Sequence, residues 1–239
     1  MEHTFSNKVA ILLPTMGRSV RLEWLVDNIR KSTEFSYKYA VYFIAEDDDL
    51  DTIKEVERLM STYSWVHLIR SSHRNINKAI NLAFRQTKEE FVYIACDDLE
   101  FTNGWLTSAM SSMSKEIMVV GTYDGFTDRK YHIGAGNSGY LIRREYIESQ
   151  SGCVDQRNVI YNEFYHHFYA DTEFYHTARK RGVFIHSEHS VVHHRHYTVS
   201  GFWGTKDKTA ENNELSGMTI RDKSYYNDRV HLFGAPYEP

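Results

Sequence analysis

Four short apolar runs, separated by helix-length amphipathic stretches, restrict the first hundred residues to one class of fold. Residues 9–13 (Val-Ala-Ile-Leu-Leu) form a continuous apolar run stopped by Pro14, as in a strand buried on both faces. Residues 18–31 place Val20, Trp24, Leu25 and Ile29 at helical spacing. A second apolar run at 39–45 precedes a helix at about 51–61, and a third run at 65–69 precedes a helix at 75–85. The fourth run spans 91–95 and ends at Cys96-Asp97-Asp98. This order predicts an α/β fold with a mostly parallel central sheet flanked by helices. Ligands of such sheets gather beyond the carboxyl ends of the strands. Pro14-Thr15, Glu46 to Asp49 and Asp97-Asp98 all fall there.

The second half is less regular. Short strands are expected at 117–121, 140–142, 184–185 and 191–192, with helices at 144–149 and 171–182. Gly134 to Gly139 is glycine-rich but lacks the Lys-Ser/Thr of a P-loop and does not follow the first strand, so a flexible substrate loop is the better reading. From about residue 200 the chain is polar, which suits a lid, an acceptor-binding flap or a tail. No domain boundary stands out, so 239 residues read as a single domain. A net charge of −4 supplies no global basic field for nucleic acid or anionic lipid. Two cysteines cannot form a disulfide framework, no apolar run is long enough to span a membrane, and no signal peptide is evident. These features lead us to expect a cytoplasmic protein.

Several groups can carry chemistry, and each has a plainer explanation. Asp97 and Asp98, set by a strand end, can hold a sugar hydroxyl and a hard cation, or can form a solvated turn. The run from Glu46 to Asp51 can contact a nucleotide, or can serve as helix N-terminal charge. Eight of the 13 histidines lie within residues 166–196, which makes metal binding a candidate. In an extended strand His194 and His196 share one face and His193 takes the other. Paired cysteines at zinc-finger spacing are absent, which argues against structural zinc. Asp171 opens a helix, either as its N-cap or as a general base, with Glu173 in the first turn, where negative charge is favourable. The aromatic residues from Tyr161 to Tyr175 can stack on sugars, although core packing explains most of them.

Taken in order, these residues resemble glycosyltransferase family 2 over about residues 8–197. Residues 9–18, with Pro14, Thr15 and Arg18, are similar to the family's opening strand and nucleotide loop. Glu46, Asp47 and Asp48 fall where family members contact the base, and Asn77 and Lys78 where a helix approaches the nucleotide. Ala95-Cys96-Asp97-Asp98 resembles Asp-x-Asp-Asp with Ala95 in the first place, and Ala170-Asp171-Thr172-Glu173-Phe174 resembles Glu-Asp-x-x-Leu with Ala170 replacing the Glu. Residues 191–194 look like the late strand that supplies a metal-binding histidine.

The resemblance implies a GT-A fold with a Rossmann-like donor half at about 8–100, an irregular acceptor and catalytic half at about 101–199, and a lid or tail at 200–239. It implies a metal-dependent, inverting transfer from a nucleoside diphosphate sugar, UDP-linked by preference, to an acceptor hydroxyl. In this reading Asp171 is the base, Asp97 positions the donor, and Asp98 with His194, or else His196, holds Mn²⁺ or Mg²⁺. The acceptor, whether glycan, protein glycan or a modified nucleobase in DNA, is left open. Two other readings remain: a metal-dependent hydrolase built on the histidines, and a non-catalytic nucleotide- or sugar-binding module, to which Ala95 and Ala170 lend weight.

Overall fold

The computed structural model describes residues 8–34, 37–124, 139–195 and 218–235. In chain order the elements begin β1 (Lys8–Thr15), α1 (Ser19–Ser32), β2 (Lys38–Glu46), α2 (Leu50–Thr62), β3 (Val66–Ser71), α3 (Ile76–Gln86) and β4 (Phe91–Ile94). They continue with β5 (Leu99–Phe101), α4 (Trp105–Ser111), β6 (Val119–Tyr123), β7 (Tyr140–Arg143), α5 (Arg144–Gln150), α6 (Ala170–Lys180), β8 (Phe184–His194) and α7 (Met218–Phe233).

The strands form one sheet in the order β3-β2-β1-β4-β7-β6-β8-β5. The sheet is mixed rather than mostly parallel. The β1/β2, β1/β4, β2/β3 and β6/β8 pairs are parallel, whereas β4/β7, β6/β7 and β5/β8 are antiparallel. Only β5 and β7 therefore run against the rest. The carboxyl ends of the other six strands share one edge.

Alternation along the strands makes two cores. Val9, Ile11 and Leu13 pack with α1, α2 and α4 on one face. Ala10 and Leu12 face α3, α5, α6 and α7 on the other. The helices follow their sequence signals, with Asn75 capping α3 through Lys78 N at 3.0 Å and Asp49 capping α2 through Thr52 N at 3.3 Å.

Three sequence expectations change. The strands expected at 184–185 and 191–192 are parts of one strand, β8, with an irregular register against β6 near Tyr123. The N-cap of α6 is Tyr169, so Asp171 lies inside the first turn and is not the cap. Residues 218–235, in the polar C-terminal segment, include a packed helix, with Tyr226 and Phe233 buried in the core. The rest of 200–239, and residues 134–138 of the glycine-rich stretch, lie outside the described residues.

Glu173 is fully buried rather than exposed in a first turn. Arg229 of α7 donates to its Oε1 at 2.7 Å and its Oε2 at 2.9 Å, and Tyr165 Oη donates to Oε2 at 2.9 Å. Removing one partner of a buried ion pair strands the other charge. Glu173→Gln is therefore expected to lower stability by about 3 kcal/mol in urea unfolding. Asp155→Asn, which alters the 45% exposed partner of Arg229, is expected to cost about 1 kcal/mol or less.

Candidate active site

The crevice begins where β1 and β4 part. Their ladder ends at Leu12 and Ile94, closed by Ala95 N donating to Leu12 O at 2.9 Å. Pro14, which has no N–H to offer, lies beyond that point and remains in register only with β2. Between β1 and β4 the strand order reverses direction, the place where open α/β sheets bind ligands.

Thr15 Oγ1 reaches across the mouth to donate to Asp97 Oδ2 at 2.8 Å. Arg18, just before α1, pairs with Asp97 Oδ1. Both contacts favour the ionised carboxylate, but burial and then the neighbouring charge of Asp98 outweigh them, and Asp97 is held above the usual carboxylate range. Asp98 is also buried, and its Oδ1 lies 3.3 Å from His194 Nε2 at the end of β8. The antiparallel pairing of Leu99 with His194 brings them together. His193, on the opposite face of β8, directs Nδ1 to the Asp124 carbonyl at 3.1 Å. His196 lies outside the described residues.

Asp171 enters from α6. Its Oδ1 accepts from Thr172 N at 2.8 Å. Enclosure raises its pKa, opposed by that backbone bond and, more weakly, by His194. Cys96, next to Asp97, has an exposed side chain. Desolvation by the surrounding protein, followed by the charges of Asp98, Asp97 and Asp171, raises its thiol pKa. The charge of Asp171 also reaches the buried Tyr161 phenol, whose pKa burial raises first. The charges of Asp97, Asp98 and Asp171 thus all reach Cys96, and that of His194 reaches Asp171.

The other candidates lie on the flanks of the crevice. Glu46 is buried at the end of β2 and accepts from Arg74 N at 3.1 Å. Asp47 pairs with Arg70 at 3.0 Å and Asp48 pairs with the Arg74 side chain, both in exposed ion pairs. Asn77 is buried and donates to Tyr165 O at 3.0 Å, tying α3 to the loop before α6. Lys78 is half-buried on the first turn of α3. Asp49, part of the acidic run but not singled out for the nucleotide, accepts from Gly17 N at 2.7 Å and so fixes the loop after β1 where that glycine has φ 67°.

Asp98 and His194 suit a hard divalent cation. Two ligand atoms bound cis to one octahedral ion at about 2.1 Å stand about 3.0 Å apart, close to the spacing here. A second cluster, Cys153, Asp155 and Glu173, has ligand atoms within 4.8 Å of one another. Arg229 already occupies it, bonding both carboxylates, so its positive charge is a guanidinium.

No helix among the described residues is long and apolar enough to cross a membrane. Solved structures share this fold. A mannosyltransferase from Pyrobaculum calidifontis, in complex with GDP-Man and Mn²⁺, superposes with a TM-score of 0.68 at 17% identity, covering 91% of this chain and 63% of its own. Glucosyl-3-phosphoglycerate synthase from Mycobacterium tuberculosis, in complex with Mn²⁺, UDP and phosphoglyceric acid, gives 0.63 at 12% identity over 96% of this chain and 79% of its own. S. aureus TarS 1–349 in complex with UDP gives 0.61 at 12% identity over 94% and 72%. The chain thus spans less than two thirds of the mannosyltransferase. No curated protein matches by sequence. The family model for glycosyl transferase family 2 matches residues 10–190, which take in β1, the Asp97-Asp98 turn and Asp171. On that match the chain belongs to glycosyl transferase family 2, and it has the GT-A fold.

Proposed function

We propose that the protein transfers a sugar from a nucleoside diphosphate sugar, UDP-linked by preference, to an acceptor hydroxyl with inversion at the anomeric carbon. The observation that carries this reading is the meeting of Asp98 Oδ1 and His194 Nε2 at 3.3 Å beside Asp97, with Asp171 near enough to feel the charge of His194. The donor class is supported by the nucleotides and nucleotide sugar bound in the structural neighbours. Residues 8–100 serve the donor and 101–199 the acceptor and catalysis. Two free thiols support a reducing compartment, the cytoplasm.

In this reading Asp98 and His194 hold Mn²⁺ or Mg²⁺, with His196 as the other candidate ligand. The ion supplies Lewis-acid neutralisation of the departing diphosphate. Thr15 and Arg18 hold Asp97 in place, and Asp97 orients the donor sugar or ribose. Pro14, Glu46, Asp47, Asp48, Asn77 and Lys78 form the nucleotide side. Asp171 takes the acceptor proton. Its enclosure raises its pKa, which makes it a stronger base than an exposed carboxylate. A hydrolase built on several histidines is less well supported. His193 turns to the Asp124 carbonyl, and among the described residues neither His193 nor His194 belongs to a three-ligand cluster.

Calorimetry with UDP, GDP, dTDP and CDP in the presence of Mn²⁺ tests the donor site; binding of none removes it. Asp98→Ala and His194→Ala are each expected to weaken Mn²⁺-dependent nucleotide binding at least about tenfold while the melting temperature holds, the scale on which metal-site losses are felt. Metal dependence unchanged in His194→Ala would move the ligand to His196 or away from histidine.

Asp171→Asn is nearly isosteric. It should leave nucleotide and Mn²⁺ binding intact and cut turnover by about 10²–10⁴-fold, the usual worth of a positioned base. Full activity in that variant, measured as nucleoside diphosphate release, would remove Asp171 from the chemistry.

A further inference from the structure

The face of α7 that meets the core carries Asp222, Tyr226, Arg229 and Phe233, spaced by four, three and four residues, one stripe of a helix. Their partners follow the chain in the same order. Asp222 Oδ1 accepts from His166 N at 2.9 Å, and its Oδ2 accepts from His167 N and Phe168 N, both at 2.8 Å. The ring of Tyr226 lies 4.9 Å from that of Tyr169. Arg229 forks onto both oxygens of Glu173, and the ring of Phe233 stacks 6.3 Å from that of His176. The segment gripped at these four places has Asp171 near its middle, with contacts at 166–169 before it and at 173 and 176 after it.

The grip bears on the one strained residue of the segment. Tyr169 has φ 66°, a left-handed conformation that a bulky side chain keeps only when its surroundings over-determine it. It is the N-cap of α6, and its carbonyl accepts from Glu173 N at 2.9 Å, so its backbone sets the phase of the turn that carries Asp171. Asp222, 1% exposed, holds the three amides just before it. The family model ends at residue 190, before this helix begins.

We propose that α7 is a splint for the catalytic turn, and that Asp222 and Arg229 are positioning residues that act on the reaction through the placement of Asp171. The proposal rests on the reading of Asp171 as the base. An ionised carboxylate offers acceptors only, which suits three N–H donors, whereas an amide would turn an NH₂ group toward one of them. Asp222→Asn therefore loosens residues 166–168 and lets Tyr169 relax. A displacement of about 1 Å at a reacting group can cost about 10²-fold in rate. Thr15, Arg18, Asp97, Asp98 and His194 stand on other elements and stay in place.

The test is nucleoside diphosphate release from UDP-glucose, UDP-N-acetylglucosamine, GDP-mannose and dTDP-glucose with Mn²⁺, with water as acceptor. It compares wild type, Asp171→Asn, Asp222→Asn and Arg229→Lys. Turnover is expressed per nucleotide-binding molecule, counted by calorimetric stoichiometry, so that unfolded protein does not register. Asp222→Asn is expected to lower kcat by about 10- to 100-fold with donor KM within about twofold of wild type. Arg229→Lys keeps the charge but loses the fork and should fall in the same direction. Wild-type kcat in both variants would overturn the proposal. So would a loss confined to the number of binding-competent molecules, since α7 would then be a stability element only. No release by wild type, or full release by Asp171→Asn, would instead overturn the underlying reading, and the proposal with it. Should Asp222→Asn fail to fold, Arg229→Lys decides by the same criterion.

Discussion

Two adjacent carboxylates, Asp97 and Asp98, are both buried at the end of a central strand, and the arrangement around them follows from the need to offset that charge. Asp97 draws on β1 and the loop after it, through Thr15 and Arg18. Asp98 meets His194 from the far side of the sheet. Asp171 adds a third carboxylate to the same space. Among the described residues Arg18 pairs with Asp97 and His194 stands beside Asp98, so the carboxylates draw on two different elements for positive charge.

Much of the first half was legible in the sequence because its strands are continuous apolar runs and its helices have one apolar side. The predicted helices at 51–61 and 75–85 lie within a residue or so of α2 and α3. The missed elements are those whose signal is short or polar. β5 has three residues and α4 seven, below the length at which periodicity reads. In α7 the buried stripe contains Asp222 and Arg229, which look like surface residues until their partners are known, and those partners lie 54–56 residues away in sequence. Glu173 failed in the same way. A first-turn acid has a sufficient local explanation in the helix dipole, and nothing nearby announces the arginine that buries it.

The candidate site shows the same division. Asp97, Asp98 and Asp171 follow strand ends or begin helices, so their placement could be read from local pattern. Pairing Asp98 with His194 could not, because it depends on β8 pairing antiparallel with β5, a strand the sequence did not declare. The aromatic stretch from Tyr161 to Tyr175 divides toward packing. Tyr161, Tyr165, Phe174 and Tyr175 are buried, whereas Phe164 is 64% exposed. Most of the tyrosine excess in that stretch thus builds the core against α7 and leaves few rings to meet an acceptor.

The mixed sheet explains how groups from distant parts of the chain arrive together. β7 reverses direction beside β4, and β6 reverses it again, so β6 and β8 point the same way as β1 to β4. Thr15, Glu46, Asp97, Asp124 and His194 all stand at or just past the carboxyl ends of these strands. The antiparallel run of β5 along β8 then sets His194 beside Asp98. Asp171 alone reaches the crevice from a helix rather than a strand. A strand residue is held by the ladders beside it, but the first turn of a helix has unpaired amides and no neighbour fixing its phase. That difference is the physical reason the turn needs outside support, and α7 stands where the support is required.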